Sequence, residues 1–169
     1  MILFQIVAIF FLLYFILLLS YSVIRGAPFA PLGNTRIKTM FELLEVNKGK
    51  KFADLGSGDG RIVIEAAKHG LKSYGFEINP LLVLLSTLKL KKLKSSNAKI
   101  ILSDFWKKDL SEYDYISIYG TKHMLRLLES KLLRELKPGA RVVSNHFQFP
   151  SWPHKKVKND VYLYVKHEN

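Results

Sequence analysis

Cysteine is absent from the 169 residues, so disulfides, a thiolate nucleophile and thiolate-held zinc are all excluded. Histidine is sparse and scattered. His69, His123, His146, His154 and His167 show no H-x-x-x-H spacing, and no metal site is expected. Acidic side chains are outnumbered, with 14 Asp and Glu against 26 Lys and Arg, and the formal net charge is +12. Such an imbalance favours a negatively charged neighbour: anionic lipid, nucleic acid or an acidic protein face. Internal repeats and low-complexity tracts are also missing. One domain with an appendage accounts for the length.

Charge is lacking altogether from residues 1–24, where Leu, Ile, Phe and Val dominate. As a helix this run would span roughly 36 Å, enough to cross a hydrocarbon core of about 30 Å with some tilt. Nothing basic precedes it, it is longer than a signal-peptide core, and no A-x-A-like cleavage site follows. It is apolar all round rather than along one stripe, unlike a helix buried in a soluble domain. Residues 1–24 are therefore expected to be a transmembrane anchor, with Tyr21 near an interface. The first basic residues beyond it are Arg25, Arg36 and Lys38. The excess of positive charge on that side predicts a single-pass protein whose domain faces the cytoplasm.

Residues 25–48 read as a connector and a pre-domain helix. The stretch GAPFAPLGN (26–34) cannot continue a helix. Ile37, Met40, Phe41 and Leu44 then recur at helical spacing, which predicts an amphipathic helix over 35–46 with Thr35 as its N-cap. From 49 to 169 strands and helices alternate. Strands are expected at 51–55, 72–77, 99–103, 115–119, 141–147 and 161–167, and helices at 61–69, 80–94 and 122–136. This pattern predicts an α/β fold: a mostly parallel, Rossmann-like sheet of six to seven strands, with helices on both faces. The third and fourth strands are separated by too few residues for a full helix. The short stretch 148–160 points to an antiparallel edge at the C-terminus.

The segment 54–60, DLGSGDG, follows a strand and opens a helix. Glycine at alternate positions lets the backbone turn sharply and approach a ligand. Asp54 ends the strand, Glu77 ends the second strand, and Asp104 follows the third with Phe105 beside it. A carboxylate after the second strand can accept hydrogen bonds from both ribose hydroxyls. One after the third can accept from an adenine amine. Asp54 suits a cofactor carrying an ammonium and a sulfonium, and would repel a pyrophosphate. Arg61 stands where the dinucleotide fingerprint has its last glycine, and no G-K-[ST] follows. These features favour S-adenosylmethionine (SAM) over NAD, with Asp54, Gly56, Ser57, Gly58, Gly60, Glu77, Asp104 and Phe105 as candidate cofactor-binding residues. Plainer roles stay open: the glycines as ordinary turn residues, Glu77 as a helix-capping acid, Asp104 as a loop acid, and Asp59 as a turn residue or N-cap. Lys89, Lys91, Lys92 and Lys94 form either a solvated helix face or a membrane-surface patch.

The stretches DLGSGDGRIVIEAAKHG and YGFEINPLLVLLS resemble the first two motifs of class I SAM-dependent methyltransferases. The chain is more narrowly similar to the membrane-anchored protein-lysine methyltransferases typified by those of the ATP synthase c-subunit and the adenine nucleotide translocase. The likeness extends over the apolar N-terminus, the connector around APFAP, E-I-N-P after the second strand, L-x-x-K-L-x-x-E-L-x-P-G-A-R-V, and F-Q-F-P-S-W.

This resemblance implies SAM as cofactor and methylation of a lysine on a membrane-embedded protein. The partners expected with it are an anionic lipid surface and no nucleic acid, for a monomeric enzyme. Nothing here looks like a mitochondrial transit peptide, so the compartment of the known relatives does not carry over. Tyr119-Gly120-Thr121 follows the fourth strand where an adenine aminomethylase would carry an N-P-P-Y-like motif. Tyr119 is the candidate for orienting the substrate at the methyl-transfer site, with Phe29 and Trp152 as its walls. The alternatives are a methyltransferase of a membrane-associated small molecule or lipid and, after it, a nucleic-acid methyltransferase or a non-catalytic SAM-binding protein.

Overall fold

The computed structural model describes residues 2–25 and 32–168; within the first of these segments, side chains are described for residues 2–14 and 16. Helix α1 spans Ile2–Arg25 and α2 spans Asn34–Leu44. Strand β1 (Lys51–Leu55), helix α3 (Arg61–Lys68), strand β2 (Lys72–Glu77), helix α4 (Pro80–Lys92) and strand β3 (Ala98–Leu102) follow. A 3-10 turn at Phe105–Lys107 leads to β4 (Tyr115–Ile118), α5 (Lys122–Glu135), β5 (Arg141–Asn145), β6 (Lys156–Lys158) and β7 (Val161–Val165). Among the described residues no helix is long and apolar enough to cross a membrane. The backbone of α1 is helical for 24 residues.

The sheet order is β3-β2-β1-β4-β5-β7-β6. The first five strands in that order are parallel, β7 runs antiparallel to β5, and β6 runs antiparallel to β7. Strand order reverses between β1 and β4, and open α/β sheets bind ligands at the carboxyl ends of the strands at such a point. Side chains alternate across the sheet. Ala53, Leu55, Ile116, Ile118 and Val142 pack with α5 residues. Phe52, Tyr115, Val143 and Leu163 pack with α2 and α3. Asp54, Ser117 and Asn145 share the parity of this second set, so all three project towards α2 and α3.

Two expectations need correction. Helix α2 starts at Asn34 with Gly33 as an N-cap lacking a side-chain bond. Thr35 lies inside the first turn, where its carbonyl accepts from Thr39 Oγ1 at 3.0 Å. The extended backbone of Gly33 already ends the connector, and its carbonyl takes the amides of Arg36 and Ile37. Strand β6 was expected only as part of a closing edge. Its three residues are all exposed, so it has no hydropathy signature. It forms because β7 offers an open edge, and Lys156 and Lys158 bind Glu45, the C-cap of α2, and Glu42 within α2 at 2.9 and 2.8 Å.

Gly75 of β2 sits in register with Asp54 of β1. A Cβ there would fall 2.6 Å from Ser57 Cβ and 2.7 Å from Ile100 Cδ1. Ile100 Cδ1 ends a rotatable side chain and can turn aside, but Ser57 Cβ cannot withdraw without moving the glycine turn. Gly75→Ala should destabilise the domain by about 1–3 kcal/mol, the usual cost of overpacking, measured by chemical denaturation of the full chain in detergent.

Candidate active site

Three glycines shape the turn after β1, each with a left-handed backbone: Gly56 (φ 83°), Gly58 (φ 53°) and Gly60 (φ 78°). The amides of Gly56 and Ser57 donate to the Phe76 carbonyl at 2.9 and 3.0 Å, which fixes the turn to β2. A Cβ on Gly56 would meet nothing within 4 Å, so this part of the turn borders open space. At Gly60 a Cβ would lie 2.9 Å from Ser86 Cβ, so glycine lets α4 pack closely there.

Glu77 holds this corner together. Its Oε2 accepts the Gly58 amide at 2.8 Å, and its Oε1 accepts the amides of Ile78 and Asn79 at 2.9 and 2.8 Å. Asn79, rather than Glu77, is the N-cap of α4, accepting from Leu81 and Leu82. Asp59 is neutralised by ion pairs with Arg61 and Lys89 at 3.0 and 2.9 Å. Burial opposes its ionisation, but hydrogen bonds from Arg61 and Lys89 outweigh burial and hold its carboxyl down at about 2.

Asp54 differs from both. It is only 3% exposed. Ser117 Oγ donates to its Oδ1, and Oδ2 has no hydrogen-bond partner. Burial pushes its carboxyl up to about 7, against the Ser117 hydrogen bond, with Glu77 and Asp59 adding repulsion. Ser57 Oγ and Asn145 Oδ1 are likewise buried without a partner, while Asn145 Nδ2 donates to Met40 Sδ at 3.4 Å. A buried polar atom left unpaired costs about 1–3 kcal/mol. Three of them, two at the end of β1 and its turn and one at the end of β5, describe a site short of hydrogen-bond partners and of positive charge.

The remaining sequence-derived candidates fall in several places. Tyr119 follows β4 at the carboxyl end and packs, half-buried, on the α2–α3 side of the sheet. Trp152 is 7% exposed and packs with Phe149 and Tyr164 on the α5 side, so these two aromatics are not brought together. Phe29 lies outside the described residues. Asp104 caps the 3-10 turn by accepting from Trp106 N at 3.0 Å, and the Phe105 ring is buried in the core. A cleft of about 520 Å³ lies between the start of α5 and the segment after β5, lined by Lys122, Arg126, His146 and Phe147 among others.

Sequence reasoning missed Ser117, Asn145 and Met40. Ser117 could have been found as the small polar residue inside the otherwise apolar strand YISI; Asn145, after Ser144 at the end of RVVSN, gives no such signal. It also missed that Arg61 Nη1 donates to the Leu32 carbonyl at 2.8 Å, which ties the end of the connector to the glycine turn.

These residues fit SAM. Its ammonium and hydroxyls are the donors that Asp54 Oδ2, Ser57 Oγ and Glu77 can accept from, and the space beside Gly56 admits a ligand against the backbone. Comparison with known proteins agrees. The ANTKMT methyltransferase domain family matches residues 54–156. The chain belongs to this family. It carries a SAM-dependent methyltransferase domain. The human lysine N-methyltransferase of the ATP synthase c-subunit is 41% identical over 126 residues, covering 74% of this chain and 54% of that protein. A protein-lysine N-methyltransferase of Saccharolobus islandicus is 33% identical over 155 residues, covering 85% of this chain and 96% of that protein. A crystal structure of an RNA methyltransferase from Salinibacter ruber with S-adenosylhomocysteine superposes with a TM-score of 0.79 at 31% identity, covering 83% of this chain and 95% of that one. The chain spans about half the length of the animal relatives it matches.

Two binding predictions follow from this family's turn as it is built here. Glu77→Ala should weaken SAM binding by about 1.5–3 kcal/mol, the range for a lost charged hydrogen bond. Gly58→Val should abolish binding, because a β-branched residue cannot hold that positive φ cheaply. Calorimetry with circular dichroism as a fold control checks both.

The pH dependence has a definite sign. Asp54 binds its proton more tightly in the fold than in the unfolded chain, so its contribution to the ligand-free stability falls as pH rises from the ordinary carboxylate range to about 7. A cationic ligand reverses this by favouring the carboxylate. SAM affinity should therefore drop by up to about tenfold per unit as pH falls below the Asp54 pKa. Asp54→Asn should flatten that slope in calorimetry over the same pH range.

Proposed function

We propose that this chain is a membrane-tethered protein-lysine N-methyltransferase. The reading is carried by the Saccharolobus islandicus relative, a protein-lysine N-methyltransferase with 96% of its length matched. It is supported by the human enzyme named for the ATP synthase c-subunit and the mouse enzyme named for the adenine nucleotide translocase. The absence of charge from residues 1–24 and the helical backbone of Ile2–Arg25 support residues 1–24 as a single-pass anchor. Residues 25–48 then form the connector with its helix, and 49–169 the catalytic domain on the cytoplasmic face. We take the enzyme to act as a monomer at an anionic lipid surface.

SAM, when bound, supplies a methyl group already activated on a sulfonium. Asp54 and Glu77 hold the cofactor by its donors. The protein's remaining task is to bring a lysine amine in without its proton, against a reference pKa of about 10.4. An apolar wall favours the neutral amine, and Tyr119 is placed at the carboxyl end of β4 to provide and aim it. Asn145 Oδ1, buried and unpaired on the same face, can accept an amine hydrogen and so orient the lone pair. Arg61 fixes Leu32 at this corner, so the chain leaving the anchor arrives at the carboxyl ends of the strands. The site is thereby kept close to the bilayer and to lysines near the headgroups.

Two rival readings have their own support. A lipid or other membrane-associated small molecule suits the apolar N-terminus equally well. RNA suits the net charge of +12 and the description of the Salinibacter ruber protein. Radioactive methyl-SAM added to membranes should label protein, and mass spectrometry should find a lysine mark that disappears with the gene. Label in extractable lipid or RNA instead would replace the lysine reading. Deleting residues 2–24 should spare SAM binding and strongly reduce methylation of the native target. Tyr119→Ala should keep SAM binding and slow turnover by about a hundredfold, the scale of a misplaced reactant, in a single-turnover assay.

A further inference from the structure

The large exposed apolar side chains of the domain are concentrated in one place. Leu81, Leu84, Leu85, Leu88, Leu93 and Leu102 are each 45–57% exposed. Elsewhere among the described residues beyond α1, only Leu127 and Val157 share that property, each in a different element. Residues 81, 84, 85 and 88 fall on one face of α4, at helical spacing. The stripe continues one turn later as Lys91 and Lys92, and no acidic residue occurs in α4. Lys91, Lys92 and Lys94 form no ion pair among the described residues. Leu102 closes β3 on the same sheet face as Ile100, which packs against Leu90 and Val83. It therefore extends the leucine end of the stripe rather than its lysine end.

This stripe lies next to the catalytic corner. Helix α4 starts directly after Glu77 and Asn79, so its leucine end lies at the carboxyl ends of the strands. Lys89 turns back to bind Asp59 at 2.9 Å, and Ser86 packs on Gly60. The helix is thus fixed to the glycine turn. On the same side of the sheet, Leu32 is held to Arg61 at that same end.

We infer that the outward face of α4, extended by Leu102, is an interfacial lipid-binding surface. Its leucines enter the boundary between headgroups and acyl chains of an anionic bilayer, and Lys91, Lys92 and Lys94 meet the phosphates. Exposed leucines running into lysines without an ion pair supply the two terms that hold a protein at an anionic bilayer: apolar area buried at the headgroup boundary and basic charge at the phosphates. Contiguous exposed apolar surface of this kind is rare on a soluble face. With the leucine end deeper than the lysine end, the mouth of the cofactor site is turned towards the membrane. The inference rests on the membrane-tethered reading and is independent of which acceptor takes the methyl group.

The absence of cysteine makes single-site labelling clean. The full chain, reconstituted in vesicles of phosphatidylcholine and phosphatidylserine, would carry an environment-sensitive fluorophore at Leu84→Cys, Leu88→Cys, Leu12→Cys or Leu127→Cys, one at a time. Nitroxide-bearing lipid is the quencher. Labels at 84 and 88 should be blue-shifted and quenched several-fold more than the label at 127, the exposed leucine of α5. Quenching at 12 reports the anchor separately. If 12 is quenched while 84 and 88 behave like 127, the lipid surface is wrong and the tether stands. If 84 and 88 are quenched and 12 is not, the tether fails and the α4 surface stands. Energy transfer between copies labelled at 84, without lipid quenching there, would make the stripe a self-association face and overturn the inference.

Discussion

The end of β1 has to be a tight turn and an acceptor-rich corner at once, and much of the domain is arranged around that demand. A turn this tight needs positive φ at three positions, which glycine supplies. It also needs its amides satisfied. The carbonyl of Phe76 and the carboxylate of Glu77 take three of them. Glu77 is consequently a structural clamp that still has lone pairs left over after its backbone bonds. Asp54 is the opposite case. The fold buries it, gives it one serine hydroxyl and leaves the rest of its valence open. A buried carboxylate of that kind is unfavourable by itself and would become favourable beside a cation, which suits it to recognition rather than to stability.

The neighbouring charges follow from the same corner. Asp59 is paired twice and ties the turn to α3 and α4 through Arg61 and Lys89. Arg61 also reaches back to Leu32, linking the connector to the glycine turn. These ties run along one side of the sheet, where α2, α3 and α4 lie. The other side is covered by α5 and by the aromatic cluster of Phe149, Trp152 and Tyr164. The domain is therefore asymmetric. One face joins the glycine turn to Leu32 and α2, and the other supplies packing.

That division clarifies the F-Q-F-P-S-W segment. Its residues are bound into the α5 side: Phe149 N donates to Tyr164 Oη at 3.1 Å, and Ser151 N to Glu129 at 3.1 Å. These contacts fix the path of the chain between β5 and the terminal hairpin. They also place the aromatic rings away from the face that holds Asp54, Ser117 and Asn145.

The sequence by itself determined the alternation of strands and helices, the glycine turn, and the carboxylates at the ends of β1 and β2. Those features are local: periodicity, punctuation by glycine and proline, and residue type at a strand end are all written in neighbouring positions. The tertiary structure decided what depends on pairing across the sheet. Ser117 meets Asp54 only because β4 lies beside β1, and Asn145 joins them only because β5 follows β4 and all three share one side-chain parity. Strand β6 has no pattern of its own and exists because β7 leaves an edge. Trp152 could be read from sequence as a pocket wall, yet its position was set by how the closing hairpin folds over α5. Whether a leucine in α4 is buried or exposed was equally beyond local reading, because a helix rich in leucine on several faces does not declare which face the sheet will cover.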